Sequence, residues 1–243
     1  MLHLLLALAQ MTRIVYDAPD HPLKVAVVGD FNSWDAPGIR MTPIENGYRW
    51  KLDLNLEPGS YRYTCLENGA APPTGAARDA AVKWLLVTPK GYANHPAALD
   101  DGIITESGLG HYPDPRDTWR LSERTIEIGF RTRHDDVRTV SIAVSQPEAE
   151  QKDYPMVRAE ADPVFDWFTV KIVVNPDKPF LYRFLLDDGA GPRAYDTGGL
   201  SGGLIGGGDP FRQDPATMTI LKEAPPQVAR RHPRFVKATA TNG

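Results

Sequence analysis

"YRWKLDLNLEPGSYRYTCLENG", residues 48–69, decides the fold. Tyr48, Trp50, Leu52, Leu54 and Leu56 alternate with Arg49, Lys51, Asp53 and Asn55. Successive side chains of a strand point to opposite faces, so this period of two predicts a half-buried antiparallel strand. Pro58-Gly59 turns the chain, and the return stretch puts Tyr61, Tyr63 and Cys65 on one face against Arg62 and Thr64 on the other.

Upstream, "TRIVYDAP" and "LKVAVVGDF" read as two further strands, the second rich in β-branched residues and closed by Gly29-Asp30. The second half repeats the grammar. "RTIEIGFRTR", "VRTVSIAVS" and "FDWFTVKIVV" are strands, and "LYRFLLDDG" (181–189) echoes "SYRYTCLENG", with Tyr182-Arg183-Phe184 standing for Tyr61-Arg62-Tyr63 and Pro179 for Pro58. A repeat this long predicts two tandem copies of one all-β domain rather than a solenoid. The boundaries that follow are a first sandwich over 13–104, a linker over 105–119 rich in Gly, Pro and Asp, a second sandwich over 120–222 and a tail over 223–243.

The composition agrees with a folded two-domain chain of 243 residues, 42% hydrophobic and 24% charged. Its 22 prolines and 21 glycines fall between short apolar stretches, as turns do, and no long segment has helical periodicity. A net charge of -4 argues against a nucleic-acid partner. The single cysteine, Cys65, excludes an internal disulfide and reads as a buried, inert thiol. At the N-terminus Leu2–Ala9 is apolar, and Ala7-Leu8-Ala9 fits a small-x-small cleavage pattern. Residues 1–12 read as a truncated export signal, which predicts an extracytoplasmic or secreted protein. An apolar first strand or a misplaced start codon are the alternatives, and they predict a cytoplasmic one. The run is too short to span a bilayer, so no membrane partner is expected.

The series "VAVVGDFNSWD…YRWKLDLNLEPGSYRYTCLENG" resembles carbohydrate-binding module family 48, the immunoglobulin-like glycogen-binding module. The matching elements are the strand ending in Gly-Asp-Phe-Asn-x-Trp, the Trp-bearing alternating strand, the Pro-Gly turn into Tyr-x-Tyr and the Asn-Gly turn, in order over residues 25–69. The second half, through "FRTRHDDVRTVSI", "FDWFTVKIVV" and "FLYRFLLDDGAGPRAYD", is similar to carbohydrate-binding module family 34, the N-terminal domain of neopullulanase-type enzymes. The resemblance implies two tandem immunoglobulin-like, early-set β-sandwiches from the N-terminal part of a glycoside hydrolase of family 13. It also implies an α-glucan or maltooligosaccharide as ligand. Two modules occupy the chain and leave no space for a catalytic barrel of about 250 residues. A non-catalytic binding role is therefore expected, with a barrel absent from this chain as the partner. The alternative is a structural docking or dimerisation platform, a homodimer with no sugar binding of its own.

The resemblance also nominates residues. Trp34 corresponds to the tryptophan that stacks on glucose, with covering the end of the sandwich as its bland alternative. Trp84, preceded by Lys83, is the second stacking candidate once the insertion "AAPPTGAARDAAV" is allowed, set against core packing as its alternative; the insertion itself reads as an exposed loop. Thr64 stands outward where binding relatives carry lysine, and Tyr92 and Asn94 fall near the ligand-binding loop, with a plain polar turn as the alternative reading of that segment. Trp50 and Trp167 read as core residues.

Catalysis has little support. Asp100-Asp101, Asp135-Asp136 and Asp187-Asp188 are adjacent in sequence, so in extended chain they diverge, whereas a glycosidase needs two carboxylates converging across one bond. "GGLSGGLIGGG" (198–208) lacks the Lys-Ser/Thr ending of a phosphate loop and reads as a flexible loop. The six histidines show no paired metal-ligand spacing, so neither a metal nor a cofactor is expected.

Overall fold

The computed structural model describes residues 10–89, 92 and 96–221. The chain separates into two compact units that part between Thr88 and Pro89. The expected export signal is described only from Gln10, and the expected tail lies outside the described residues. Among the described residues no helix is long and apolar enough to cross a membrane.

The first module contains β1 (Gln10–Asp17), β2 (Val25–Gly29), β3 (Ile39–Arg40), β4 (Thr42–Ile44), β5 (Arg49–Leu56), β6 (Gly59–Glu67), a short helix α1 (Gly75–Ala81) and β7 (Lys83–Val87). Its strands form two sheets, ordered β1-β5-β4 and β3-β2-β6-β7. The alternation along β5 is what the sequence promised: Trp50, Leu52, Leu54 and Leu56 are buried while their neighbours are partly exposed. They meet Val25, Val27 and Tyr61 of the other sheet in one core. Tyr48 is the exception, more than half exposed just before the strand, with its ring against His21. Cys65 packs against the core, and burial pushes its thiol up to about 11, which keeps it protonated and unreactive at neutral pH.

The second module adds β8 (Thr118–Arg120), β9 (Thr125–Arg133), β10 (Thr139–Ser145), β11 (Lys152–Pro155), β12 (Val157–Ala161), β13 (Phe165–Val173), β14 (Phe180–Asp187), β15 (Arg193–Asp196), β16 (Gly199–Leu200) and β17 (Phe211–Gln213). One sheet runs β12-β13-β9-β8, and the other β11-β10-β14-β15-β16 with β17 on β14. Ile126, Ile128, Phe130, Phe168 and Ile172 from the first face Ile142, Phe180, Tyr182 and Phe184 from the second. The fold is all-β, two immunoglobulin-like sandwiches in tandem, and the pairing shows the repeat directly. Pairs β1–β5, β2–β6 and β6–β7 in the first module recur as β9–β13, β10–β14 and β14–β15 in the second.

Three expectations change. The stretch 105–119 is not a connector: Ile104 and Leu109 belong to the second core, and Trp119 is buried. Its glycines allow close approach to β9. A Cβ on Gly108 would lie 2.6 Å from the Arg133 backbone nitrogen, and Gly110 exchanges backbone hydrogen bonds with Arg131. Trp167 is not a core residue. It pairs with Arg131 on the face of β13 turned away from Phe168 and Ile172, and is only half-buried. Both faces of β13 carry large apolar groups, so alternation alone chose the wrong side. The insertion after Gly69 is not wholly loop, since it carries α1.

The glycine-rich stretch also has a structural purpose. Asp196 is buried, and its Oδ1 accepts the backbone N–H groups of Gly198 and Gly208. A Cβ on Gly206 would come within 1.7 Å of Asp196 Oδ2, so the loop closes over this carboxylate only because that residue has no side chain.

Candidate functional site

The site begins where β2 ends. Gly29 leads into a single helical turn over Asp30–Asn32, and Ser33 and Trp34 then take positive φ angles of 56° and 61°. Two successive non-glycine residues in the left-handed region cost on the order of 1–2 kcal/mol each. Such a conformation persists only where other contacts hold it. Here Trp34 N donates to Gly29 O at 3.0 Å, and the indole Nε1–H donates to Asp30 Oδ1 at 2.9 Å.

Asp30 is the hub. Its side chain is nearly fully buried, and besides the indole it accepts Arg62 N at 2.8 Å, Arg62 Nε at 3.1 Å and Arg62 Nη2 at 3.2 Å. A buried carboxylate is tolerable only with donors on its lone pairs, and one neighbouring arginine supplies three of them. Arg62 lies on the face of β6 opposite Tyr61 and Tyr63, directly across from Trp84 of β7. Side chains at facing positions of an antiparallel pair stand about 5 Å apart at Cβ. Trp84, Arg62, Asp30 and Trp34 therefore form one connected row on the outer face of the sheet. Trp84 is 56% exposed and Trp34 half-buried.

The other nominated residues divide. Thr64 is on the same outer face, paired with Val28, but it is buried beside Val28 and Leu66, so its hydroxyl is not offered to solvent. Lys83 precedes Trp84 on a strand and so points to the opposite face, where its Nζ lies 5.2 Å from the centroid of the Tyr16 ring. It cannot act beside Trp84. Tyr92 belongs to the second module. Its hydroxyl donates to Val164 O at 3.1 Å, its ring lies under the Arg133 guanidinium, and burial raises its pKa. Tyr92 is thereby tied into the packing of the second module. Asn94 lies outside the described residues.

Sequence reasoning missed Asp30, Arg62 and Arg78. Asp30 was legible only as part of a turn, and Arg62 as the polar half of Tyr-x-Tyr. Arg78 sits on α1, and its guanidinium carbon lies 4.8 Å from the centroid of the Trp34 ring. Nothing in the order of residues announces that contact.

Elsewhere the acidic pairs are tied up in structure. Asp188 accepts the backbone N–H groups of Asp100, Asp101 and Gly102, and Asp136 accepts both Thr105 N and its hydroxyl. His134, Asp135 and Asp166 offer ligand atoms within 4.8 Å of one another, a grouping that could hold a metal ion. Arg158 already donates to both carboxylates, and the His134 ring nitrogen Nδ1 lies 2.9 Å from Asp166, so the carboxylates already have partners within the protein.

Residues 105–201 match the family described as alpha amylase, N-terminal ig-like domain. The match starts at the first residue of the Gly-, Pro- and Asp-rich stretch 105–119, in agreement with the packing of Leu109. A search of the curated proteins finds no significant match. Among solved structures, the maltogenic amylase from S. marinus is 12% identical with a TM-score of 0.48, over 88% of this chain and 29% of that one. A cyclomaltodextrinase is 22% identical with a TM-score of 0.33, over 36% and 15% respectively. The type III pullulan hydrolase from Thermococcus kodakarensis is 15% identical with a TM-score of 0.33, over 44% and 16%. The chain spans less than a third of the length of each of these proteins. The second module, over residues 105–201, is thus similar to the alpha amylase N-terminal ig-like domain.

Proposed function

We propose that the chain binds α-glucan without cleaving it, and that the first module carries the site. The observation that supports this best is the row Trp84–Arg62–Asp30–Trp34 on one sheet face, with Trp84 more than half exposed. Leaving an indole in water forgoes on the order of 2 kcal/mol of burial. The axial C–H groups of a pyranose carry partial positive charge and pack on the negative face of such a ring. Arg62 beside it supplies a donor for sugar hydroxyls. The positive φ at Trp34 fits the same reading, because local strain of this kind gathers at binding positions.

Glucans of the starch and glycogen type are favoured by the resemblance of residues 25–69 to glycogen-binding modules and by the amylase-domain match in the second module. The role would be to hold polysaccharide near a catalytic barrel. The test is electrophoresis of the purified chain in native gels with and without amylopectin. Retardation that is lost in Trp84→Ala supports the proposal. Unretarded migration, together with a dimer by light scattering, would instead favour a docking platform.

A further inference from the structure

One face of Trp34 is already taken by a side chain of the same module. Arg78, on α1 in the insert between β6 and β7, carries its guanidinium carbon 4.8 Å from the centroid of the Trp34 ring. Arg78 Nε donates to Pro73 O at 3.2 Å, which fixes the guanidinium from its other edge. At that height the cation lies where the C–H face of a pyranose would rest. Both are drawn by the same negative ring face, and one face cannot hold both.

The support behind Arg78 is light. α1 has seven residues, none of them buried. A helix this short has no stability of its own in water, so it is kept by its few tertiary contacts. Its first residue, Gly75, has φ +54° with nothing within 4 Å of where a Cβ would be, so the entry to the helix is open. Lifting this segment from the ring takes no side chain of α1 out of a core.

We infer that Arg78 is a built-in competitor for Trp34, carried on α1 as a flap that a glucan must displace before it stacks. The inference rests on the reading of Trp34 and Trp84 as a glucan platform. Its consequence is selectivity by length. A short oligosaccharide that covers Trp34 alone gains little over the cation it removes, whereas a chain that also reaches Trp84 gains a second ring the flap does not cover.

Calorimetric titration of the full chain with maltoheptaose separates the possibilities. An exposed cation–π contact shifts an equilibrium by roughly two- to fivefold, so Arg78→Ala should bind that much more tightly. Arg78→Lys, which keeps a cation, should stay near the parent. Acrylamide should quench Trp34 more readily in Arg78→Ala than in the parent before any sugar is added, with Trp34→Phe identifying its share of the signal. Equal or weaker binding by Arg78→Ala, while Trp84→Ala still abolishes binding, overturns the flap but leaves the glucan platform standing. No binding by the parent or by Arg78→Ala overturns the platform itself, and the flap with it.

Discussion

Asp30 Oδ1 accepts the Trp34 indole N–H at 2.9 Å, and the same carboxylate accepts three donors of Arg62. One nearly buried acidic side chain thus orients an aromatic ring and the strand beside it. Asp30→Ala leaves the partly exposed Arg62 without its partner and frees the indole. A loss of about 2–3 kcal/mol is expected, below the range for fully buried pairs because solvent screens Arg62. Urea unfolding measures it, and glucan retardation should fall along with stability. Asp30→Asn keeps an acceptor and should lose less of both.

Trp84 and Trp50 should behave in opposite ways. Trp84 is 56% exposed, so Trp84→Ala should change stability by no more than about 0.5 kcal/mol while weakening glucan binding at least tenfold. Trp50 is 3% exposed in the core, with its indole N–H on Gly47 O. Trp50→Ala should cost about 3–5 kcal/mol. Thermal unfolding and affinity electrophoresis on the two variants check the contrast.

Two buried groups of the second module give stability opposite pH dependences. Burial pushes His111 down to about 3 from 6.5, and it pushes Asp117 up to about 7 from 3.8. The neutral imidazole stabilises the fold above pH 6.5, and its contribution falls as pH drops from there towards 3. The neutral carboxyl has its full effect below pH 3.8, and its contribution falls as pH rises towards 7. Asp117→Asn removes only the second effect and keeps an acceptor for Tyr112 N. Relative to that variant, the parent should lose roughly 1.4 kcal/mol per pH unit between pH 3.8 and 7. Urea midpoints of both proteins across this range give the slope directly.

The glycines of 198–208 are not equivalent. Gly206→Ala drives a Cβ into Asp196 Oδ2 and should destabilise the second module by about 2 kcal/mol or more. Gly207→Ala meets nothing within 4 Å and should be neutral, or stabilising by a few tenths of a kcal/mol through the unfolded chain. Thermal melts of the pair decide whether the loop is a clasp or only a tether.

The strands of this protein were legible in its sequence because each buries one face, and a period of two follows directly from backbone geometry. Trp50, Leu52, Leu54 and Leu56 announced the first core, and the echo of Tyr61-Arg62-Tyr63 in Tyr182-Arg183-Phe184 announced the second copy. Where apolar groups line both faces, as on β13, the period loses its meaning and points Trp167 to the wrong side. Where glycine served close approach rather than freedom, as at Gly108 and Gly110, a packed segment read as a connector. The candidate site shows the same division. Trp34 and Trp84 stand out as aromatics in sequence, but what connects them does not: Asp30 meets Arg62 across 32 positions, and Arg78 reaches back 44 positions to Trp34. Local sequence dictates which face a side chain takes. Only tertiary structure brings charges and rings from distant strands within contact distance, because those contacts depend on register and loop closure rather than on periodicity.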